Sequence, residues 1–172
     1  MNKEIVFLIG SSRRPGNTWA LLEHVNAVHQ FKVVDISELN LSYFDYDHGN
    51  IDDDFIPTIE KILEYRTIGF VSPVYWHTIS AQMKTFIDRI SDLLSKRKDL
   101  GRALARKRTF LLASGSTDDE LPQGMEDTIK LTSDYMDMEY LGSFYAKVVG
   151  EREYDQDTLE RAESFLNKLI EI

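Results

Sequence analysis

Cysteine is absent from the 172-residue chain. Its absence excludes disulfide bonds, thiolate nucleophiles, zinc–cysteine sites and cysteine-ligated iron–sulfur clusters together. Long apolar runs are also missing near the N-terminus, where Ile5–Ile9 is too short for the core of a signal peptide or for a membrane span. We therefore expect a soluble cytoplasmic protein that has no membrane partner.

Positive charge is in deficit as well. Lysine and arginine number 20 against 29 aspartate and glutamate residues, which gives a formal net charge of −9. An acidic protein repels nucleic-acid backbones unless its cations form a separate stripe, so no nucleic-acid partner is expected. The composition, 42% hydrophobic and 28% charged, is otherwise typical of a globular protein. The length predicts a single domain over residues 1–172.

Apolar runs without alternation, which are typical of strands buried on both faces, separate segments with helical periodicity. The predicted strands are Ile5–Ile9, Phe31–Ile36, Ile68–Val71, Thr109–Ala113 and Glu139–Val149. The predicted helices cover about Thr18–Val28, Phe55–Tyr65, Ser80–Leu94, Pro122–Asp137 and Asp157–Ile170, with a long irregular loop in residues 37–57. Strict alternation of strand and helix predicts an α/β protein whose parallel sheet is covered by helices on both faces.

The loop at residues 10–18 has the composition of an anion site. Ligands of parallel α/β sheets bind beyond the carboxyl ends of the strands, and this loop leads into a helix N-terminus, whose free backbone N–H groups attract phosphate. Gly10 and Gly16 permit close approach of the backbone, and Arg13 or Arg14 supplies a cation. Side-chain donors are present at Ser11, Ser12, Asn17 and Thr18. The alternative is an ordinary turn in which Thr18 caps the helix and the arginines are solvated.

The loop at residues 72–80, which follows the third strand, carries Tyr75 and Trp76. Aromatic side chains at the top of a parallel strand suit a planar ligand, which they flank or stack on. The alternative is that both rings fold back over the core. His77 has no partner visible in the sequence and is interpreted as a surface histidine.

The loop at residues 113–120 begins with Ala-Ser-Gly-Ser. Gly115 permits close approach to a flat ring, and the neighbouring N–H and hydroxyl groups can donate to its heteroatoms. The same residues are also typical of an ordinary strand-to-helix turn. This loop therefore indicates a binding site only in combination with the other two loops.

Two charged segments have simple structural interpretations. Seven cations lie between Lys96 and Arg108, at the amino end of the predicted sheet and opposite the three loops, and we interpret them as a solvated face. The acidic stretch at residues 45–54 lacks the spacing of a calcium loop and is interpreted as a solvated loop bordering the site. No metal site is predicted.

Taken together, the three loops resemble the NADPH-dependent FMN reductase family of flavodoxin-like proteins. The matching segments are Gly-Ser-Ser-Arg-Arg-Pro-Gly-Asn-Thr at 10–18, Ser-Pro-Val-Tyr-Trp-His-Thr-Ile-Ser-Ala-Gln-Met-Lys-Thr-Phe-Ile-Asp-Arg at 72–89, and Ala-Ser-Gly-Ser at 113–116. The resemblance implies a three-layer flavodoxin-like fold with a five-stranded parallel sheet in the order 2-1-3-4-5. It also implies noncovalently bound FMN, with NADPH or NADH as the cosubstrate.

The resemblance assigns residues to the parts of FMN. The phosphate is expected at Ser11, Arg13, Gly16, Asn17 and Thr18. The isoalloxazine and the ribityl chain are expected against Pro73, Val74, Tyr75 and Trp76. The edge of the ring is expected against Ser114, Gly115 and Ser116. Because flavin N5 itself accepts hydride, no catalytic acid, base or nucleophile is predicted.

The implied function is that of an NAD(P)H-dependent oxidoreductase, in which hydride passes from nicotinamide to flavin N5 and then to a small acceptor such as a flavin or a quinone. Members of the family are commonly homodimers or homotetramers. One alternative is a flavodoxin-like electron-transfer protein that a partner protein reduces. The net charge of −9 favours this alternative, because acidic surfaces often steer redox partners into contact. Another alternative keeps the fold without the flavin, as an interaction domain.

Overall fold

Five parallel strands form the sheet that positions the rest of the molecule. The structure, a computed structural model, describes residues 4–50, 52–117 and 119–171. The strands are β1 (Ile5–Ile9), β2 (Lys32–Asp35), β3 (Thr67–Pro73), β4 (Arg108–Gly115) and β5 (Glu139–Lys147). They pair in the order β2-β1-β3-β4-β5, and every pairing is parallel. The predicted parallel sheet and its strand order are therefore confirmed.

Helices cover both faces of this sheet. They are α1 (Asn17–Asn26), α2 (Phe55–Ile62), α3 (Ala81–Asp88), α4 (Asp92–Ser95), α5 (Lys98–Leu104), α6 (Gln123–Tyr135) and α7 (Gln156–Glu171). Short 3-10 turns follow β2 at Ile36–Glu38 and α3 at Arg89–Ser91. One apolar core lies under α1 and α7, and the other lies under α2 to α6. The result is the three-layer flavodoxin-like architecture that the resemblance implies.

The first strand shows why the apolar runs lack alternation. All five side chains of β1 are fully buried. Val6 and Leu8 belong to the core under α2 to α6, whereas Ile5, Phe7 and Ile9 belong to the core under α1 and α7. A strand covered on both faces meets an apolar core on each side, so both sets of its side chains are apolar.

The helix predicted over Ser80–Leu94 is divided in the structure. Ser80 is its N-cap, and the Ser80 Oγ accepts a hydrogen bond from the Met83 N–H at 3.1 Å. However, α3 ends at Asp88, and a 3-10 turn that contains the fully buried Arg89 leads into the short α4. Leu94, predicted on the apolar face, is 43% exposed. The spacing of apolar residues does not reveal this break, because the break depends on Arg89. Arg89 is a cation, and one of its partners, Asp53, is distant in sequence.

Arg89 is held by carboxylates from two parts of the chain. Its Nε donates to Asp92 Oδ2 at 2.6 Å, and its Nη1 donates to Asp53 and to the Ser42 carbonyl, the latter at 3.1 Å. Burial raises the pKa of Asp53, but the hydrogen bonds from Arg89 and from two backbone amides outweigh it and leave that pKa below its ordinary value. The interpretation of the acidic stretch as a solvated loop is therefore wrong for Asp53, which anchors this loop to the α3–α4 junction.

The basic run between Lys96 and Arg108 is only partly the solvated face that the sequence predicts. Lys107 Nζ donates to two backbone carbonyls between α2 and β3, at 2.5 and 2.7 Å. Arg108 is buried, and its Nε lies 3.3 Å from Glu139 Oε2. The exposed cations of the run are Lys96, Lys98, Arg102 and Arg106. Because β4 begins at Arg108, the run does lie at the amino edge of the sheet, away from the three loops.

Metal clusters and membrane spans are both absent from residues 4–50, 52–117 and 119–171. No three histidine, aspartate or glutamate side chains in these ranges come together in a way that could hold a metal ion. No helix in the same ranges combines the length and the apolar character that crossing a bilayer requires.

Candidate functional site

A cavity of about 300 Å³ opens at the carboxyl edge of the sheet, across the ends of β1, β3 and β4. It is lined by Ser11, Arg13, Gly16, Asn17, Thr18, Pro73, Val74, Tyr75, Ser114, Gly115, Ser116 and Val148. Eleven of the twelve residues that the resemblance assigns to FMN are thus brought together in one place. Trp76 is not among the lining residues, and Val148 was not predicted.

The N-terminus of α1 forms one wall of this cavity. Gly16 is the N-cap in an extended conformation and has no side chain with which to cap the helix. The N–H groups of a first helical turn have no acceptor within the helix, and Gly16, Asn17 and Thr18 at this end of α1 all line the cavity. The alternative in which Thr18 caps the helix is therefore wrong, because Thr18 lies inside the first turn.

Glycine at position 16 is required by the tight course of the first loop. A Cβ atom added to Gly16 would lie 2.7 Å from the Arg13 carbonyl oxygen. Contact with a backbone atom at this distance cannot be relieved by turning a side chain. The first loop therefore folds closely against the start of α1.

The two arginines of the first loop have different surroundings. Arg13 lines the cavity, and its Nη2 lies 3.5 Å from Asn17 Oδ1. Arg14 is paired with Glu38 at 2.8 Å and lies over the Trp19 ring, 4.2 Å from the ring centroid. The composition of the loop alone did not distinguish Arg13 from Arg14 as the cation of the anion site. Arg13 is the one that lines the cavity, as the resemblance implies.

A buried hydroxyl pair joins the first loop to the third. Thr18 Oγ1 and Ser114 Oγ lie 2.8 Å apart, and both residues are buried. The Val74 N–H donates to the Ser114 carbonyl at 2.8 Å, which adds the second loop to the same point. Three loops from separate strands are thereby held in one arrangement before any ligand arrives.

The second loop is also tied to the first. Ser80 Oγ donates to the Gly10 carbonyl at 2.7 Å, and the Ser80 N–H donates to Ser72 Oγ at 3.0 Å. A Cβ added to Gly10 would lie 2.9 Å from the Met83 backbone nitrogen, so the end of β1 and the start of α3 are in direct contact. These contacts join the end of β1, the end of β3 and the start of α3.

The loop after β5 contributes residues that sequence reasoning missed. The Arg152 N–H donates to Asn17 Oδ1 at 2.8 Å, and the Tyr154 hydroxyl donates to the Asn17 carbonyl at 2.9 Å. Burial raises the pKa of Tyr154 to about 12. The available signal was topological: β5 is parallel to β4, so the loop after it lies at the same edge of the sheet as the other three.

Tyr75 and Trp76, predicted as a pair, separate in the structure. Tyr75 lines the cavity and is 38% exposed, whereas the Trp76 side chain is 95% exposed. Neither ring is folded into the core, so the alternative in which both cover the core is wrong. His77 is exposed, as its interpretation as a surface histidine requires.

The strand order and the position of the cavity define a class of protein. A parallel sheet in the order 2-1-3-4-5, with a polar cavity where the strand order reverses, is characteristic of flavodoxin-like α/β proteins. The chain belongs to the NADPH-dependent FMN reductase family, whose model matches residues 4–150.

Individual proteins agree with this membership. YwqN of Bacillus subtilis (strain 168), whose name places it among NAD(P)H-dependent FMN-containing oxidoreductases, is 30% identical over 125 residues. The alignment covers 65% of this chain and 66% of that protein, which is just under two thirds of its length.

Solved structures show the same fold. The Trp repressor binding protein from Bacillus subtilis superposes with a TM-score of 0.76 at 23% identity, covering 96% of this chain and 98% of that one. A protein from Agrobacterium tumefaciens described as a WrbA-like flavodoxin superposes with a TM-score of 0.70 at 16% identity, and the superposition covers 99% of this chain and 96% of that one. At these identities the likeness concerns the fold.

Proposed function

We propose that this chain binds FMN noncovalently in the cavity and acts as an NAD(P)H-dependent oxidoreductase toward a small electron acceptor. The observation that carries the proposal is the uncapped N-terminus of α1, which faces the cavity beside Arg13. Such an arrangement is suited to a phosphate ester. Family membership and the name of YwqN support FMN as the phosphate-bearing group.

The first loop is proposed to hold the FMN phosphate. The backbone N–H groups at the start of α1 and the guanidinium of Arg13 supply positive charge, and Ser11 and Asn17 contribute polar side chains. The Thr18 hydroxyl pairs with that of Ser114, and either of the two can be the donor. Thr18 is proposed to contact the phosphate through its backbone N–H and, where Ser114 is the donor, through its hydroxyl as well.

The second and third loops are proposed to hold the isoalloxazine. Pro73, Val74 and Tyr75 form one wall and the Ser114–Ser116 segment forms another. A Cβ added to Gly115 would lie 2.8 Å from the Tyr145 hydroxyl and 3.1 Å from Val74 Cβ, so the third loop packs closely against both residues. An apolar wall on one side and backbone donors on the other suit a flat heterocycle with polar edges.

The residues of the chain serve mainly to position the reactants. FMN, when bound, supplies the chemistry by accepting hydride at N5 from NADPH or NADH and passing two electrons to the acceptor. The chain binds the flavin, orients its ring and excludes water from one of its faces. No side chain is needed as a general acid, base or nucleophile.

The visible spectrum of the protein with FMN, recorded anaerobically before and after addition of NADPH, tests this function. We expect the oxidised flavin to bind and to bleach within seconds, faster than free FMN mixed with NADPH alone. Binding without bleaching would favour the alternative of an electron carrier that a partner protein reduces. Absence of binding would contradict the proposal and leave only the fold.

The homodimer or homotetramer expected from the family is proposed to use an apolar groove between the α3–α4 segment and α6. The groove measures about 440 Å³, and Leu94, Leu131 and Tyr135 on its walls are 43%, 63% and 73% exposed. An adjoining cavity shares Leu94 and Tyr135 and adds the cations Lys98 and Arg102. Exposed apolar surface of this kind, rimmed by charge, suits a second copy of the chain.

Substitution of Leu131 with glutamate tests this interface. We expect the wild type to elute as a dimer or tetramer and Leu131→Glu to elute as a single chain, measured by size-exclusion chromatography with light scattering. The matched control is Val28→Glu, at a position 85% exposed on the other face of the sheet, which should keep the wild-type mass. An unchanged mass of Leu131→Glu would exclude this groove, and a monomeric wild type would exclude the oligomer.

The single-domain organisation over residues 1–172 and the cytoplasmic location both remain predictions from the sequence.

A further inference from the structure

The turn at Tyr75–Thr78 has an unusual backbone for its residues. The Tyr75 N–H donates to the Thr78 carbonyl at 3.0 Å, and the Thr78 N–H donates back to the Tyr75 carbonyl at 3.1 Å. Between them, Trp76 and His77 have φ values of +49° and +61°. This is the pattern of a type I′ turn, which asparagine followed by glycine adopts readily and bulky residues adopt rarely. Non-glycine residues held in the left-handed region cluster at binding sites.

The turn presents the Trp76 indole to solvent beside the cavity. Trp76 is 95% exposed, although Tyr75 immediately before it lines the cavity. The base of the turn is fixed, because Pro73 pairs with Ser114 in the sheet and the Val74 N–H donates to the Ser114 carbonyl at 2.8 Å. The largest apolar side chain available is therefore held on a rigid support, in a strained conformation, with its ring uncovered.

The position of Trp76 separates it from the flavin cradle and from the core. It does not line the cavity that Tyr75 lines, and its exposure excludes a packing role. A second planar molecule that approaches flavin bound in the cavity would enter from solvent, and Trp76 is the exposed aromatic residue that directly follows the lining residue Tyr75. An exposed indole offers such a ring a large stacking face.

We propose that Trp76 is the outer aromatic wall of a second ring site, where it stacks on the planar ring of the reactant that meets the flavin. The inference rests on the proposed function, because the reactant is a nicotinamide or a planar aromatic acceptor such as a quinone. Trp76 therefore binds the cosubstrate and determines specificity, and it does not hold FMN.

Three variants distinguish the effect of losing the Trp76 indole from the effect of altering the Tyr75–Thr78 turn. Trp76→Ala removes the indole, and Trp76→Phe keeps an aromatic face. The double variant Trp76→Asn/His77→Gly removes the indole while its residues suit the type I′ turn, so it should fold at least as stably as the wild type. Tyr46→Ala is the matched control, since Tyr46 is an aromatic residue that is 88% exposed and does not line the cavity.

Steady-state kinetics and FMN titration supply the readouts. We expect KM for NADPH to rise about tenfold in Trp76→Ala and in the double variant and by less than about threefold in Trp76→Phe, as loss of one stacking partner predicts. The Kd for FMN should stay close to that of the wild type in all variants. With a planar quinone as acceptor, KM for the quinone should also rise if the quinone uses the wall, whereas KM for ferricyanide, which has no aromatic ring, should not change.

The outcomes distinguish this inference from the function on which it rests. A rise in KM for NADPH alone, or for the quinone alone, supports the wall and assigns it to that reactant. Unchanged KM values for both reactants in Trp76→Ala and in the double variant would overturn it. A tenfold weaker FMN affinity in these variants would also overturn it, because Trp76 would then belong to the flavin cradle. Failure of the wild type to bind FMN would instead remove the proposed function itself.

Discussion

Replacement of Arg13 with alanine is expected to weaken FMN binding by roughly tenfold to a hundredfold, the usual range for loss of hydrogen bonds to a charged group. Arg13 is the arginine that lines the cavity beside the open end of α1, so its loss removes the side-chain cation closest to the proposed phosphate. The Kd is measured by titrating the flavin-free protein with oxidised FMN and monitoring the quenching of flavin fluorescence.

The neighbouring arginine provides the matched control. Arg14→Ala removes the same charge one residue away, but Arg14 is paired with Glu38 and lies over Trp19, so FMN affinity should remain close to the wild type. Riboflavin, which lacks the phosphate, should bind Arg13→Ala and the wild type with similar affinity. Equal losses in the two arginine variants, or an equal loss for riboflavin, would show that Arg13 does not act on the phosphate.

Replacement of Arg89 with methionine is expected to lower the free energy of unfolding by about 3–5 kcal/mol, the usual cost of removing one partner from a buried ion pair. Arg89 is fully buried, and the side chains of Asp53 and Asp92 are 5% and 1% exposed. Without the guanidinium, two buried carboxylates lack their cation. Urea unfolding measures the change. The free energy of unfolding of Arg89→Lys should lie between those of Arg89→Met and the wild type, because lysine keeps the charge but not the planar guanidinium.

Arg97 is the control for this prediction. It also pairs with two carboxylates, those of Glu60 and Asp99, but at the surface, where such pairs contribute about 1 kcal/mol or less. Arg97→Met should therefore have a small effect. A similar loss in Arg89→Met and Arg97→Met would contradict the role given to the buried pair.

The effect of pH follows from the direction of the Asp53 pKa. In the wild type this pKa lies below its unfolded value, so the stabilisation is complete above the unfolded pKa and is lost as pH falls through the folded one. In Arg89→Met, the guanidinium no longer offsets the burial of Asp53, so the pKa of this carboxyl rises and it protonates at a higher pH than in the wild type. The difference in stability between variant and wild type should therefore narrow below about pH 5. A difference independent of pH would indicate that the carboxylates are not involved.

The strands and the principal loops could be predicted because their signals are local. Continuous apolar runs such as Ile5–Ile9 predict strands covered on both faces, and turn-forming residues directly after them mark the carboxyl edge. Parallel strands end at a common edge, so residues from the loops after β1, β3 and β4 could be expected to meet. Eleven of the twelve residues expected at the flavin do meet in one cavity.

The sequence by itself thus determined the order of elements, the edge at which ligands bind and the family to which the loops are similar. Only the tertiary structure decided that Thr18 meets Ser114, that Tyr154 supports Asn17 and that Arg89 is buried against Asp53. These contacts join residues that are 96, 137 and 36 positions apart. Apolar periodicity records only which face of an element is buried, whereas the pairing of polar groups across such separations depends on where the folded chain brings their elements together.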